Sequence, residues 1–294
     1  MRRAVLILVL TASAAGHMRA GDRQGVSFQE VLALEAPPAD ARIPYGPGPQ
    51  QFGELWLPRE PGPHPVAVVI HGGCWSAEYG EGHIRPVCVA LAQAGMAAWC
   101  LEYRRVGDKG GGWPGTFEDV GRGADHLREI APSHGLDLTR VVAVGHSAGG
   151  HLALWLAARA RLPEADPLRG KPPLPLRGVV GLAPIPDLAR AAADHVCGDA
   201  VPSLLGGLPE GQSARYSVAS PIGRLPLGVP QAIVHGREDR IVPLGLSERY
   251  VAAAREKGDA ARLVVVEGAG HFDLIAPTSK AWLRVEEAVR TLVK

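Results

Sequence analysis

Four cysteines in 294 residues are too few for a disulfide-built scaffold, and none stands in the Cys-x-x-Cys spacing of a zinc site. Neither sign of charge is in excess, since 31 Lys and Arg oppose 30 Asp and Glu without a long run of either. So balanced a chain offers no electrostatic footprint for nucleic acid or an anionic membrane surface. No internal repeat is present, which excludes a solenoid or array. No phosphate-cradling glycine loop and no cluster of metal-ligand residues occurs, so neither cofactor nor metal is expected.

What the chain does have is enough length for one large α/β domain with a real core, and an ordinary 46% of hydrophobic residues to fill it. It opens on Met1-Arg2-Arg3, an apolar stretch from Ala4 to Leu10, and small residues through Gly16. That apolar stretch is too short to span a bilayer and has the form of a secretory leader. Residues 1–20 are therefore expected to be a signal peptide and 21–294 a single exported domain, periplasmic or secreted, with no membrane attachment once the leader is removed. If the leader does not function, the protein is cytoplasmic. Cys88 and Cys100 read as small buried hydrophobes. Export would allow one disulfide, which the sequence does not assign, and the oligomeric state is equally unassigned.

Beyond a Pro- and Gly-rich stretch over 36–51, expected to lack regular structure, a rhythm sets in. Apolar runs at 52–57, 66–70, 97–103, 141–144, 177–182, 231–235 and 262–267 read as strands. Helical patterns lie between and after them, at 82–95, 116–130 (with Pro132 beyond its end), 246–257 (stopped by Gly258) and 279–293. Continuous apolar strands alternating with amphipathic helices predict a mainly parallel sheet covered on both faces. Residues 184–228 lack a strand pattern and are long enough to form a small cap over the carboxyl edge of the sheet, where such folds bind ligands.

The run Val141 to Val144 ends in Gly145-His146-Ser147-Ala148-Gly149, and an apolar helical segment follows. Strand, Gly-x-Ser-x-Gly turn and helix together expose a serine on a tight bend, the position of a nucleophile. A serine hydroxyl needs a base, and the base needs an orienter. His271, in the glycine-rich stretch after the final predicted strand, is the expected base. Asp239, just past the strand at 231–235, is the expected orienter, with Glu238 beside it and Asp187 as alternatives. Upstream, His71-Gly72-Gly73-Cys74-Trp75 follows a strand end, and the N–H groups of Gly73, Cys74 and Ala148 are the expected oxyanion donors.

Ser147, Asp239 and His271 in that chain order, with His-Gly-Gly upstream, resemble an α/β-hydrolase over residues 50–294. The His71 to Trp75 string, Tyr103-Arg104 and the Gly145 to Leu152 string are most similar to its esterase/lipase branch, which includes kynurenine formamidases and feruloyl- or acetyl-esterase-like proteins. The resemblance implies an eight-stranded sheet, cofactor-free catalysis and an acyl-enzyme intermediate. It implies a small-molecule ester as substrate and carboxylesterase activity, or a formamide if the protein is an arylformamidase acting on N-formylkynurenine. Tyr103-Arg104 reads as structural support, with Asp119 as the partner of Arg104. A peptidase of this superfamily would need a large N-terminal propeller, for which the chain before the sheet is too short. An inactive binding protein would have no use for a filled triad.

Overall fold

The computed structural model describes residues 25–170 and 172–294, so the expected leader at 1–20 lies outside the described residues. Eight strands form one sheet: β1 (Ala41–Pro44), β2 (Phe52–Trp56), β3 (His64–Ile70), β4 (Ala97–Leu101), β5 (Leu136–His146), β6 (Gly178–Leu182), β7 (Gln231–Gly236) and β8 (Ala261–Val266). Their spatial order is β1-β2-β4-β3-β5-β6-β7-β8. The β1–β2 and β2–β4 pairs are antiparallel, and from β4 onward every neighbour is parallel. This is the α/β-hydrolase fold expected from the sequence.

Ten helices accompany the sheet among the described residues: α1 (Phe28–Leu32), α2 (Arg85–Gln93), α3 (Gly115–Asp125), α4 (Leu127–His134), α5 (Ala148–Ala158), α6 (Leu188–Ala193), α7 (Ala200–Leu205), α8 (Pro209–Ala219), α9 (Leu244–Glu256) and α10 (Trp282–Val293). Strand periodicity explains why both faces of the sheet are covered. In β3, Val66, Val68 and Ile70 point into a core shared with Phe117 of α3, Trp155 of α5 and Tyr250 of α9. Ala67 and Val69 point the other way, toward Leu91 of α2 and Val289 of α10. Alternate side chains face opposite sides, so an uninterrupted apolar strand requires apolar cover on both. α5 is buried along its whole length and, His151 apart, carries no polar side chain, as its place against the central strands demands.

Three expectations are corrected. The 36–51 stretch is not devoid of regular structure, because it contains β1, an edge strand whose exposure alternates and whose Pro44 sits at the end, where a missing N–H costs little. The single helix expected over 116–130 is two helices, and Pro132 lies inside the second instead of beyond it. α4 is short enough to tolerate the lost N–H, and Gly135, with φ of 61°, closes it in the left-handed conformation. The strand expected at 97–103 stops at Leu101, which frees Glu102 and Tyr103 to turn toward the loop after β3. Residues 184–228 fold into α6, α7 and α8 and pack at the carboxyl ends of the strands. His151 Nε2–H donates to the Ala219 carbonyl at 2.9 Å, and Trp113 N–H to that of Leu204 at 2.8 Å.

Candidate active site

β5 ends at His146 and α5 begins at Ala148, leaving Ser147 alone to make the turn. Its φ of 56° and ψ of −121° are a conformation that a side chain normally avoids. Neighbouring contacts hold the residue there. Its N–H donates to the Leu182 carbonyl at the end of β6 (2.8 Å), and its own carbonyl accepts from His151 N–H (3.0 Å). The flanking glycines are required sterically. A Cβ on Gly145 would run into the carbonyl oxygen of Gly149, and one on Gly149 into those of Ile70 and His71. The motif thus reflects a three-way approach of β3, β5 and α5, and backbone strain of this kind collects at functional sites.

His271 follows β8 and leads into a 3₁₀ turn over Phe272–Ile275. Its Nδ1–H donates to Asp239 Oδ2 at 2.7 Å, with the two side chains 4% and 0% exposed. The other carboxylate oxygen of Asp239 accepts the N–H groups of Ile241 (2.8 Å) and Val242 (2.9 Å), so the loop after β7 orients the carboxylate. Burial alone would raise the Asp239 pKa. Hydrogen bonds from His235 and His271, the nearby His271 charge and the Val242 N–H outweigh it and hold the group far below the usual carboxylate range. Asp187 caps α6 by accepting the Arg190 N–H at 3.0 Å, and Glu238 is exposed.

The loop after β3 carries three successive left-handed residues, Gly73 (φ 101°), Cys74 (φ 51°) and Trp75 (φ 55°). Among the described residues no backbone carbonyl accepts from the N–H of Gly73 or Cys74. The N–H of Ala148 opens α5, where the helix dipole favours negative charge. His71 braces this loop. One ring nitrogen donates to the Gly72 carbonyl (2.8 Å) and the other lies 3.1 Å from Glu102, while Tyr103 stacks on the ring at 4.4 Å and its hydroxyl donates to the His71 carbonyl (2.9 Å). Arg104 pairs with Asp119 through two 2.7 Å hydrogen bonds, the expected partner.

A cavity of about 330 Å³ brings these parts together, with Gly73, Cys74, Ser147 and His271 on its reactive side. Tyr79, His83, Ile241 and Phe272 form much of the remaining wall. Among the described residues no Lys, Arg, Asp or Glu lines it. His83 is buried and its pKa is pushed down to about 3 by burial and by the nearby His71 and His271. His146 is neutral for the same first reason, and its Nε2–H donates to the His271 carbonyl at 3.0 Å.

Of the six residues that sequence reasoning singled out, Ser147, His271, Gly73 and Cys74 line this cavity, Asp239 stands behind His271, and Ala148 follows Ser147 at the start of α5. It missed the part of the cysteines. Cys74 is bonded to Cys197, with Cα atoms 5.9 Å apart, and so ties the loop after β3 to the α6–α7 connection. It also missed His83, His146 and the N-terminal Phe28, which lines the same cavity. The Ser27-x-x-Glu30 spacing, an N-terminal helix signature, was the available signal for the last of these.

The BD-FAE family model matches residues 54–253. The chain is 26% identical to Esterase LipQ of Mycobacterium tuberculosis over 227 residues, covering 74% of this chain and 53% of LipQ. It spans about half the length of most of the curated relatives it matches. Among solved structures, it is similar to a truncated carbohydrate esterase from gut microbiota, with a TM-score of 0.76 and 19% identity, covering 87% of this chain and 99% of that one. The same fold recurs in Esterase B of Lactobacillus rhamnosis, with a TM-score of 0.75 and 23% identity, covering 90% of both chains.

Proposed function

The chain belongs to the BD-FAE family, and from its esterase relatives and the geometry of the site we propose that it is a serine carboxylesterase that cleaves small-acyl esters through an acyl-enzyme on Ser147. His271 takes the Ser147 proton as the hydroxyl attacks the ester carbonyl, and Asp239 fixes its tautomer and stabilises the imidazolium. The N–H groups of Gly73, Cys74 and Ala148 receive the oxyanion; in such sites each donor is worth about 10²- to 10³-fold in rate. His271 then protonates the departing alcohol. Water, activated by the same imidazole, releases the carboxylic acid and restores Ser147.

One observation carries the reading. The 2.7 Å contact of His271 with a buried, ionised Asp239 opens on a cavity that also holds Ser147 and two backbone donors, Gly73 and Cys74, that no backbone carbonyl among the described residues accepts from. The wall without charged side chains favours an uncharged ester over N-formylkynurenine, whose ammonium and carboxylate would be desolvated without partners. The α6–α8 segment is the proposed cap, tied to the cavity wall through the Cys74–Cys197 bond. Export is part of the proposal, supported by the leader-like pattern of residues 1–20 and by the Cys74–Cys197 disulfide, a bond rare in reducing compartments. Among the described residues no helix is long and apolar enough to cross a membrane.

Ser147→Ala tests the assignment. Turnover of p-nitrophenyl acetate and labelling by a fluorophosphonate probe are both expected to vanish while the circular dichroism spectrum stays the same. Activity surviving in that variant would remove Ser147 from the mechanism. Faster hydrolysis of N-formylkynurenine than of any short acyl ester would replace esterase with arylformamidase.

A further inference from the structure

The segment before the sheet is built into the site. α1 begins with a capping box in which Glu30 N–H donates to Ser27 Oγ (3.2 Å) and Ser27 N–H to the Glu30 carboxylate (2.9 Å). Val31, 1% exposed, anchors the helix in the core beside Leu274 and Ile275. Phe28 projects from its first turn into the cavity. Its ring meets three others edge-on or tilted: Phe272 at 5.2 Å, His83 at 5.6 Å and Tyr79 at 5.7 Å. Phe28 therefore bridges the two sides of the site, from the residue after His271 to the Tyr79 side chain that packs on Gly73.

A single carboxylate oxygen locks this arm to the histidine loop. Asp273 Oδ2 accepts Val26 N–H at 3.0 Å and Gly270 N–H at 2.9 Å, and Gly270 directly precedes His271. The fit is close, since a Cβ on Gly25 would collide with that same oxygen. Asp273 is 8% exposed, so the bond to Val26 is shielded from competing water.

We infer that the N-terminal arm, residues 25–32, is a substrate-selecting wall, and that Phe28 limits the length of apolar chain the site accepts. Asp273 is the positioning residue that holds the arm in place. The inference rests on the esterase reading above. Its chemical content is an uncharged ester whose acyl or alcohol part ends against the Phe28 ring. A longer chain must displace that ring, whereas a smaller residue at position 28 gives the added methylenes apolar surface to cover.

The test is the ratio of kcat/KM for a six-carbon chain to that for a two-carbon chain. It is measured in an acyl series of p-nitrophenyl esters and in an alcohol series of acetate esters, on the full chain and on Phe28→Ala, Phe28→Leu and Phe28→Trp. Each newly accommodated methylene is worth about fourfold. Phe28→Ala is therefore expected to raise the ratio about tenfold in one of the two series, Phe28→Leu less, while Phe28→Trp lowers it. Asp273→Ala, which frees the arm with Phe28 intact, moves the ratio in the same direction as Phe28→Ala. Taking the ratio on one enzyme cancels any loss of His271 reactivity in that variant. Should Phe28→Ala fail to fold by circular dichroism, the Leu and Trp variants carry opposite signs and suffice. An active enzyme whose ratio stays within twofold in both series across the folded variants overturns the inference alone. Absence of ester turnover and of fluorophosphonate labelling in the unmutated protein overturns the esterase reading, and this inference with it.

Discussion

Asp239→Asn changes one atom and inverts the logic of the proposed base. One carboxylate oxygen is already committed to the N–H groups of Ile241 and Val242 at 2.8 and 2.9 Å, which only an acceptor can satisfy. The amide oxygen must take that place, so the amide NH₂ faces His271 Nδ1, where the carboxylate now accepts at 2.7 Å. Two donors cannot share that contact, and His271 switches to the tautomer with its proton on Nε2. The ring then presents N–H where it should accept the Ser147 proton. Loss of the correct tautomer in such a triad costs about 10⁴-fold in kcat, or roughly 5.5 kcal/mol in the barrier. The assay is kcat for p-nitrophenyl acetate near neutral pH, with the thermal midpoint measured alongside to exclude a folding lesion. A fall of less than tenfold in a folded variant refutes the reasoning and returns Glu238 and Asp187 to consideration.

Two further perturbations address what holds the site together. Cys197→Ser, or reduction of the unmutated protein with a phosphine, opens a cross-link between residues 123 apart, which chain-entropy reasoning values at roughly 5 kcal/mol. A lower thermal midpoint and a reduced kcat are expected, and an unchanged midpoint on reduction would mean that the bond contributes nothing. His151 is neutral in the fold, because Trp75 Nε1–H donates to its Nδ1 at 3.2 Å while its Nε2–H is given to Ala219, and burial pushes its pKa from 6.5 down to about 4. The unfolded chain binds the proton first, so this contribution is intact above about pH 6.5 and declines toward pH 4 by roughly 1 kcal/mol per pH unit. Urea midpoints should fall over that window and His151→Gln should flatten the slope; equal slopes would count against the assignment.

The residues proposed to handle the carbonyl were legible because each stands just past the carboxyl end of a parallel strand. Val66 to Ile70 precedes the Gly73–Cys74 donors, Val141 to Val144 precedes Ser147, and β7 and β8 precede Asp239 and His271. Strands buried on both faces are the strongest pattern a sequence carries, so whatever follows them inherits a known place. β1 escaped notice because four residues with alternating exposure, ending in proline, carry no such pattern. The break at His126 escaped because a helical period continues through it, and Pro132 lies only two residues before the end of α4, so it marks the helix's last turn instead of its outside.

The walls of the cavity follow a different rule, and that explains why reaction chemistry was readable where selectivity was not. Phe28 reaches the site on a five-residue helix, and Val26 just before it bonds a carboxylate oxygen 247 residues away in sequence. Cys197 reaches it through a bond across 123 residues, between two positions that both require left-handed backbone. Neither contact leaves a periodic trace, because each is a single pairing between irregular segments. A carbonyl-activating geometry has to be rigid and therefore sits on strand ends. A size limit needs only bulk at the right distance, and any docked segment can supply it. Substitutions at position 28, which touches the histidine loop only through ring contacts, should therefore redirect the enzyme toward other esters while leaving the proposed Ser147, His271 and Asp239 geometry standing.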